Sequence, residues 1–382
     1  MPWKETCVIN ERAIMIGEYL SGDYSVAELA RRRGISRKTA YKWIRRQHAD
    51  PDAGLANLSR APHHHPNALA PEMEQAVLDW KARRPNWGAP KIHSKLQADP
   101  ACPAESTISN VLRRHGLSRT LRRRALGSRP ARPWIEAGSS NEVWCTDFKG
   151  WFCLGNGRRC DPLTISDAYS RYLLCCQGIC GTTGWVAVQP LFERVFREYG
   201  LPLRMRSDNG APFASRGLGG LSPLAVWWLR LGIRLERIAP GHPEQNGRHE
   251  RMHRTLKETV PVQRTLGRQQ HAFEAFRQDY NEERPHEALG QKPPASMYVP
   301  SPRDFPERLL PVEYPDDWIK RRVRSNGEIR WHGATLYLSE SLVDQWVGLQ
   351  PVADELWTVC FMAEPLCQLD TRGTTPRFRP LK

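Results

Sequence analysis

Paired cysteines are missing from this chain. Its ten cysteines stand at 7, 102, 145, 153, 160, 175, 176, 180, 360 and 367, with none of the Cys-x-x-Cys units that hold structural zinc. Reduced, buried thiols in a cytoplasmic protein are the expectation. Also absent are a basic start followed by an apolar run and any window approaching 18 uninterrupted apolar residues. An exported chain or a membrane-spanning helix is not expected, and no membrane partner follows. No internal repeat is evident. Acidic residues are scarce in the first third: residues 1 to 134 hold 24 Lys and Arg against 12 Asp and Glu, whereas residues 135 to 382 hold 32 against 29. Lys and Arg displace counterions condensed on phosphates, so the basic third points to a polyanion and the near-neutral remainder to globular or catalytic work. The chain of 382 residues is long enough for more than one domain. His63, His64 and His65 sit among prolines without companion cysteines and read as a loop.

What is present divides into modules. Ser25 to Ile44 reads as two short helices around Gly34, a helix-turn-helix pattern. Val26, Leu29 and Ala30 give the first helix an apolar stripe, Ile35, Ala40 and Ile44 give the second a buried side, and Ser25 and Ser36 are candidate caps. Arg37, Lys38, Thr39 and Lys42 would then face double-stranded DNA. Further helices are expected over 71 to 84, 89 to 97 and 105 to 115, a second DNA-binding helical unit. Residues 118 to 140 mix prolines with arginines, among them Arg122, Arg123 and Arg124, and read as a basic linker able to track a phosphate backbone.

From Asn141 the pattern changes to strands over 142 to 154, 158 to 167 and 171 to 179, then alternates helices with short strands, which implies a mixed sheet covered by helices. A helix is expected over 183 to 199, a strand over 203 to 207 ending at Asp208, and long helices over 244 to 260 and 268 to 283. Eight prolines between 285 and 315 mark a second linker, and the short strands after 319 suggest a small β-barrel. The expected domains are 1–60 and 66–117 (helical), 118–140 (linker), 141–285 (core), 286–315 (linker) and 316–382 (barrel).

Asp147 falls within a strand, where a charged side chain is out of place without a ligand, and Asp208 falls at a strand end before an Asn-Gly turn. Each alone has an ordinary explanation as a solvated or turn residue. With a helical glutamate they form a set of carboxylates of the kind that binds Mg²⁺. The residues that carry this set are Trp144-Cys145-Thr146-Asp147-Phe148, Ser166-Asp167-Ala168-Tyr169-Ser170-Arg171-Tyr172, Arg206-Ser207-Asp208-Asn209-Gly210-Ala211-Pro212-Phe213, Asn246-Gly247-Arg248-His249-Glu250 with Leu256-Lys257, and Tyr280-Asn281-Glu282-Glu283-Arg284-Pro285-His286. Over about residues 140 to 300 the chain resembles the DDE integrase core shared by retroviral integrases and many bacterial insertion-sequence transposases. The resemblance implies an RNase H-like fold with a mixed five-stranded sheet, helix-turn-helix domains before it and a small SH3-like barrel after it. It implies a catalytic, metal-binding triad of Asp147, Asp208 and Glu250 with two Mg²⁺ or Mn²⁺ ions.

Glu244 has the family's commoner spacing, with 35 residues between it and Asp208, against 41 for Glu250. Glu250 is preferred because it follows the Asn-Gly pair and because the glycine-rich stretch 214 to 221 accounts for the extra length; Glu244 stays as the alternative. His253, Arg254 and Lys257 share one helix face with Glu250, as cations that would grip a DNA end. The same stretch spells His249-Glu250-Arg251-Met252-His253, which on spacing alone competes as a zinc-peptidase motif. The resulting expectation is a bacterial, nucleoid-associated enzyme, acting at least as a dimer, that binds terminal repeats, nicks DNA and joins the freed 3′-hydroxyls to target DNA. The alternatives are an inactive DNA-binding regulator descended from such an enzyme and the peptidase. In the barrel, the basic run 320 to 324 could contact DNA or only mediate protein contacts.

Overall fold

Ser25 and Glu28 close a reciprocal cap, each side chain bonding the other's backbone N–H, and this fixes where a helix begins. In the computed structural model, which describes residues 6–51, 54–60, 68–118, 136–215, 217–238, 247–309 and 311–381, three helices form here: α1 (Val8–Leu20), α2 (Val26–Arg32) and α3 (Arg37–Ala49). The pair α2 and α3 is the expected one. The first, α1, is additional, and it buries Met15 and Ile16 against Leu29, Ala30, Ala40 and Trp43. Arg33 ties α1 to the turn through Glu11 at 2.5 Å and Glu18 at 2.7 Å. These helices lie in one compact unit, Met1–Ala68, and the rest of the chain in another, Leu69–Lys382.

The second unit begins with α4 (Pro71–Arg83), α5 (Ala89–Leu96) and α6 (Glu105–Arg114), packed around Val77, Trp87, Ile92, Ile108 and Val111. Gly116, at φ +67°, stops α6, and the Leu117 N–H turns back to the Leu112 carbonyl at 2.7 Å.

The central sheet uses β1 (Val143–Phe148), β2 (Phe152–Cys153), β3 (Arg159–Asp167) and β4 (Leu173–Ile179), then α7 (Trp185–Tyr199), β5 (Arg204–Ser207), α8 (Pro223–Arg230), β6 (Arg234–Arg237), α9 (Gly247–Thr259) and α10 (Leu266–Gln278). Five strands lie in the order β4, β3, β1, β5, β6, and the short β2 extends the far end of β3. β1, β3 and β4 are antiparallel, while β5 and β6 run parallel to β1. This is the mixed sheet of the RNase H-like arrangement.

Alternation along the strands separates two faces. Trp144, Leu163, Ile165 and Met205 pack on Phe192 and Phe196 of α7 and Trp228 of α8. Each of these large apolar side chains contributes about 1.5–3 kcal/mol by leaving water. On the other face Cys160, Leu173 and Cys176 pack on Met252 and Leu256 of α9 and on Phe273 and Phe276 of α10.

The β4 edge is closed by side-chain amides. Gln270 accepts from the Gly178 N–H and donates to the Cys176 carbonyl, both at 3.0 Å. Asn281, in the π-helical turn Asp279–Glu283, accepts from the Leu173 N–H at 2.8 Å and donates to its carbonyl at 3.0 Å.

The proline-rich stretch after residue 285, expected as a linker, lies along the core as a strap. Asn141 donates to the Val299 carbonyl, the Ser301 N–H to the Tyr199 carbonyl, and the Arg303 guanidinium to the carbonyls of Pro202, Leu231 and Gly232. Tyr298 stacks on Tyr172 with 4.4 Å between ring centres.

The C-terminal region contains β7 (Ile319–Arg322), β8 (Glu328–Trp331), β9 (Ala334–Tyr337), β10 (Trp346–Ala353), β11 (Leu356–Phe361), β12 (Glu364–Asp370) and β13 (Arg377–Arg379). Where a small barrel was expected, the strands form an antiparallel sheet in the order β13, β12, β11, β10, β7, with β8 and β9 as a separate hairpin. Val347, Leu349, Phe361 and Leu369 share one core with Ala225, Val226 and Leu229 of α8. Gly219, in the stretch expected to lengthen the loop after Asp208, meets β12: a Cβ there would stand 2.5 Å from Leu366 Cδ2.

Candidate active site

Strand register brings the first two carboxylates to one end of the sheet. Cys145 of β1 pairs with Arg206 of β5 in a parallel ladder, and Asp147 and Asp208 each lie two residues further on. Beneath them Arg206 and Glu236 form a buried ion pair at 2.6 Å across β5 and β6. The turn after β5 holds Asp208 in place. Its Oδ1 accepts from the Gly210 N–H at 3.1 Å, and Asn209 donates to the Ile238 carbonyl at 2.7 Å. A Cβ at Gly210 would lie 3.0 Å from Asp208 Oδ2, so a larger residue crowds the carboxylate.

The Asp147 side chain keeps 24% of its exposure. Burial pushes its carboxyl up to about 7, followed by the negative charge of Asp208; the Phe148 N–H opposes this, and Glu250 adds a smaller push. Two further carboxylates therefore act on the partly desolvated Asp147. Glu250 itself lies exposed in the first turn of α9.

The helix that carries Glu250 is placed by two histidines. Apolar Met252 and Leu256 anchor its inner side. His249 Nε2 and His253 Nε2 each lie 2.7 Å from Thr164 Oγ1, His249 Nδ1 lies 2.8 Å from Ser166 Oγ, and the Thr164 hydroxyl donates to the Asp147 carbonyl at 3.1 Å. Both imidazoles are held neutral: burial and His253 keep His249 well below its ordinary value, and burial with Lys149 pushes His253 down to about 4. His253 was expected as a cation on the Glu250 face. It turns inward instead, with Nδ1 3.9 Å from Asp147 Oδ2, while Arg254 and Lys257 remain exposed.

The zinc-peptidase reading fails on the same geometry. Its two imidazoles already bond the sheet. Among the described residues no group of three or more His, Cys, Asp or Glu side chains stands ready to hold a metal ion, and this applies equally to the carboxylates Asp147, Asp208 and Glu250. The charged groups acting on Asp147 are the carboxylates of Asp208 and Glu250, which suit a hard cation bound with water and substrate oxygens rather than by a closed protein cage.

Lys149, Thr164 and Ser166 were missed in the sequence. Lys149 is half-buried, and burial and then Lys257 push its ammonium down, so these two lysines share a corner of the site. The signal for Thr164 and Ser166 was their alternation with Leu163 and Ile165 in β3, which marks a polar stripe on one face of a buried strand.

Of the expected DNA-facing residues, Arg37, Lys38 and Lys42 are exposed on α3. The Thr39 hydroxyl is taken up at the helix cap, 2.9 Å from Ser36 Oγ. Arg122, Arg123 and Arg124 lie outside the described residues, as do Glu244 and Asn246. In the C-terminal basic run, Arg322 pairs with Asp344 at 2.9 Å. All ten cysteines are free, and among the described residues no helix is long and apolar enough to cross a membrane.

Comparison with known proteins adds an independent finding. Residues 138–243 and 231–294 match two models described as integrase core domain, residues 39–112 one described as homeodomain-like domain, and residues 11–63 one described as helix-turn-helix domain. The uncharacterized 31.7 kDa protein of insertion element IS407 from Burkholderia multivorans is 29% identical over 252 residues, covering 64% of this chain and 87% of that protein. The uncharacterized 39.2 kDa protein of insertion element IS476 from Xanthomonas euvesicatoria is 25% identical over 303 residues, covering 72% and 85%. Among solved structures, the HTLV-2 integrase catalytic core domain in complex with magnesium aligns at 14% identity over 42% of this chain and 99% of that one, with a TM-score of 0.33.

Proposed function

We propose that this chain, an integrase-superfamily insertion-sequence transposase, cuts DNA at the ends of its element and joins the freed ends to target DNA at the site formed by Asp147, Asp208 and Glu250. The observation that carries this reading is the strand register that sets Asp147 and Asp208 at one end of the sheet, supported by the negative charges of Asp208 and Glu250 both acting on the partly desolvated Asp147. A carboxyl held up to about 7 by burial and like charge is one that a divalent cation would return to its ionised form.

Asp147, Asp208 and Glu250 would hold two Mg²⁺ or Mn²⁺ ions. When bound, such ions activate the attacking oxygen and stabilise the leaving one in an in-line phosphoryl displacement. In the first displacement a water oxygen bonds to phosphorus and the bond to the element's 3′-oxygen breaks, leaving a 3′-hydroxyl. In the second, that 3′-oxygen bonds to a target phosphorus and expels a target 3′-hydroxyl. The first step is a hydrolysis; in the second, one phosphoester bond forms for the one broken, so joining needs no external energy source.

The protein's own groups position these reactants. Thr164 and Ser166 fix α9 through His249 and His253, and thereby the place of Glu250. Lys149, Arg254 and Lys257 supply positive charge beside the carboxylates for the phosphates of a DNA end. Arg37, Lys38 and Lys42 on α3 would read the terminal repeats, with Arg122, Arg123 and Arg124 along the backbone between domains. The enzyme would act in the bacterial cytoplasm, at the nucleoid, as at least a dimer bridging two element ends.

The test is a strand-transfer assay with labelled terminal repeats and Mg²⁺. Asp147→Asn, Asp208→Asn and Glu250→Gln should each lower joining by more than a hundredfold while leaving end binding within about twofold, as expected when a group acts on the transition state alone. Full joining by Glu250→Ala would overturn the assignment of the third carboxylate.

A further inference from the structure

A second group of charged residues lies away from the carboxylates, where the second helical unit meets the catalytic core. Helix α5 is held there by Lys95, which pairs with Glu283 at 2.8 Å, and Arg84 at the end of α4 pairs with Asp279. Lys91 lies one turn before Lys95 on α5, so it faces the same segment of the core. Arg284 follows Glu283 directly in the chain, and His286 lies two residues further on. Arg251 comes from α9 and Arg171 from the turn between β3 and β4.

Contacts bring them together: Asn281 bonds Leu173, two residues beyond Arg171, and Met252, the neighbour of Arg251, packs in one cluster with Tyr280. Arg284, Arg171 and Arg251 all act on the buried Tyr280 hydroxyl, and Lys91, Arg284 and Arg171 all act on His286. The His286 ring lies edge-on to Tyr280 at 4.7 Å, and its Nε2 is buried without a hydrogen-bond partner. Among the described residues neither Lys91, Arg251 nor Arg284 has a salt bridge, whereas the nearby Asp279 and Glu283 are engaged by Arg84 and Lys95.

Lys91, Arg171 and Arg284 are half-buried and held close to like charges. Burial and then Arg284 push the Lys91 ammonium down to about 7, with Glu287 opposing. Burial and then Arg248 push Arg171 down to about 10. Such an arrangement is unfavourable in the free protein and becomes favourable once an anion enters.

We infer that Lys91, Arg171, Arg251, Arg284 and His286 form a binding site for one phosphodiester group of a DNA backbone. This inference rests on the reading of the chain as a DNA-joining enzyme, and it adds a second anchor point on the same substrate. The site suits a backbone phosphate rather than a stray anion because α9 joins the two places: the exposed Arg251 belongs to this cluster and its neighbour Glu250 to the carboxylate set. The whole helix Gly247–Thr259 is about 20 Å long, so a strand held by the cluster passes close to the reacting centre. The cluster would also make the second helical unit and the core grip one DNA segment together.

The test uses the full chain carrying Glu250→Gln, with Lys91→Gln and the exposed Arg251→Gln added singly. Thermal melts are taken in phosphate-free buffer with and without inorganic phosphate at matched ionic strength, and binding of a labelled random-sequence duplex is followed against salt. Lys91→Gln should raise the melting temperature without phosphate and remove the stabilisation that phosphate gives. Both variants should flatten the slope of log K against log salt by about 0.9, the loss of one phosphate contact. Phosphate stabilisation lost with the DNA slope unchanged would mean a free-anion site and overturn the DNA assignment. A lower melting temperature for Lys91→Gln, with phosphate response and slope both retained, would overturn the site altogether. Because the background already lacks Glu250, these outcomes are independent of whether the carboxylates perform the joining.

Discussion

Asp147 illustrates how a single buried side chain can weaken the protein that carries it. Its carboxyl rises from an ordinary 3.8 to about 7 on folding, so between these values the folded chain keeps a proton that the unfolded chain has lost. Stability from this group is therefore highest at the acid end and falls as pH rises through about 7. His253 works in the opposite sense: pushed from 6.5 down to about 4, it favours unfolding as pH drops below 6.5. In chelator, the two slopes oppose each other over the range they share. Asp147→Asn should leave the imidazole contribution alone, so its stability climbs between pH 4 and 6.5 in urea titrations. At pH 8 the variant should exceed the parent by ~2 kcal/mol, after allowance for partial solvent screening. Adding Mg²⁺ should stabilise the parent and leave the variant nearly unchanged, and equal stabilisation of both would place the ions elsewhere.

At the scale of elements, the placement of α9 depends on one hydroxyl. Thr164→Val keeps the shape of β3 but leaves the Nε2 atoms of His249 and His253 without their partner, at a cost of about 1–3 kcal/mol. Thr164→Ser should recover most of that loss in a denaturant titration. Unequal clarity in the sequence has physical causes at this same scale. Helices α4, α5 and α6 and the strands of the sheet were legible because their apolar residues keep one period and their ends carry proline, glycine or caps. Helix α1 was not, since Val8, Ile9, Ile14 and Leu20 are exposed while Met15 and Ile16 are buried, so no clean stripe marks its inner side. Asp147 and Asp208 stood out only in combination with a helical glutamate, since each alone reads as a solvated or turn residue. The roles of His249 and His253 could not, because a motif of five residues says nothing about which way its imidazoles point. The strap was misjudged for a related reason: prolines signal an irregular path, but the bonds that pin Val299, Ser301 and Arg303 come from Asn141, Tyr199 and Leu231, far away in the chain.

For the whole molecule, the C-terminal sheet is part of the catalytic unit's packing. Gly219→Ala would place a methyl group against Leu366 in a backbone conformation, φ +69°, that disfavours side chains. A loss of about 1–3 kcal/mol in thermal or urea unfolding is expected. The first unit has its own core around Leu29 and Trp43, so a fragment of residues 1–68 should melt cooperatively with a helical circular dichroism signal. A non-cooperative melt would mean that this core needs the remainder of the chain. The two amides on β4 bear on how several copies can meet. A bare strand edge is an open-ended connector, since each added strand exposes another edge and growth has no natural stop. Gln270 and Asn281 occupy the Leu173 N–H and carbonyl, the Cys176 carbonyl and the Gly178 N–H on that side of the sheet. A further strand could pair along this part of β4 only by first displacing the two amides, so the edge is no ready connector between copies of the chain.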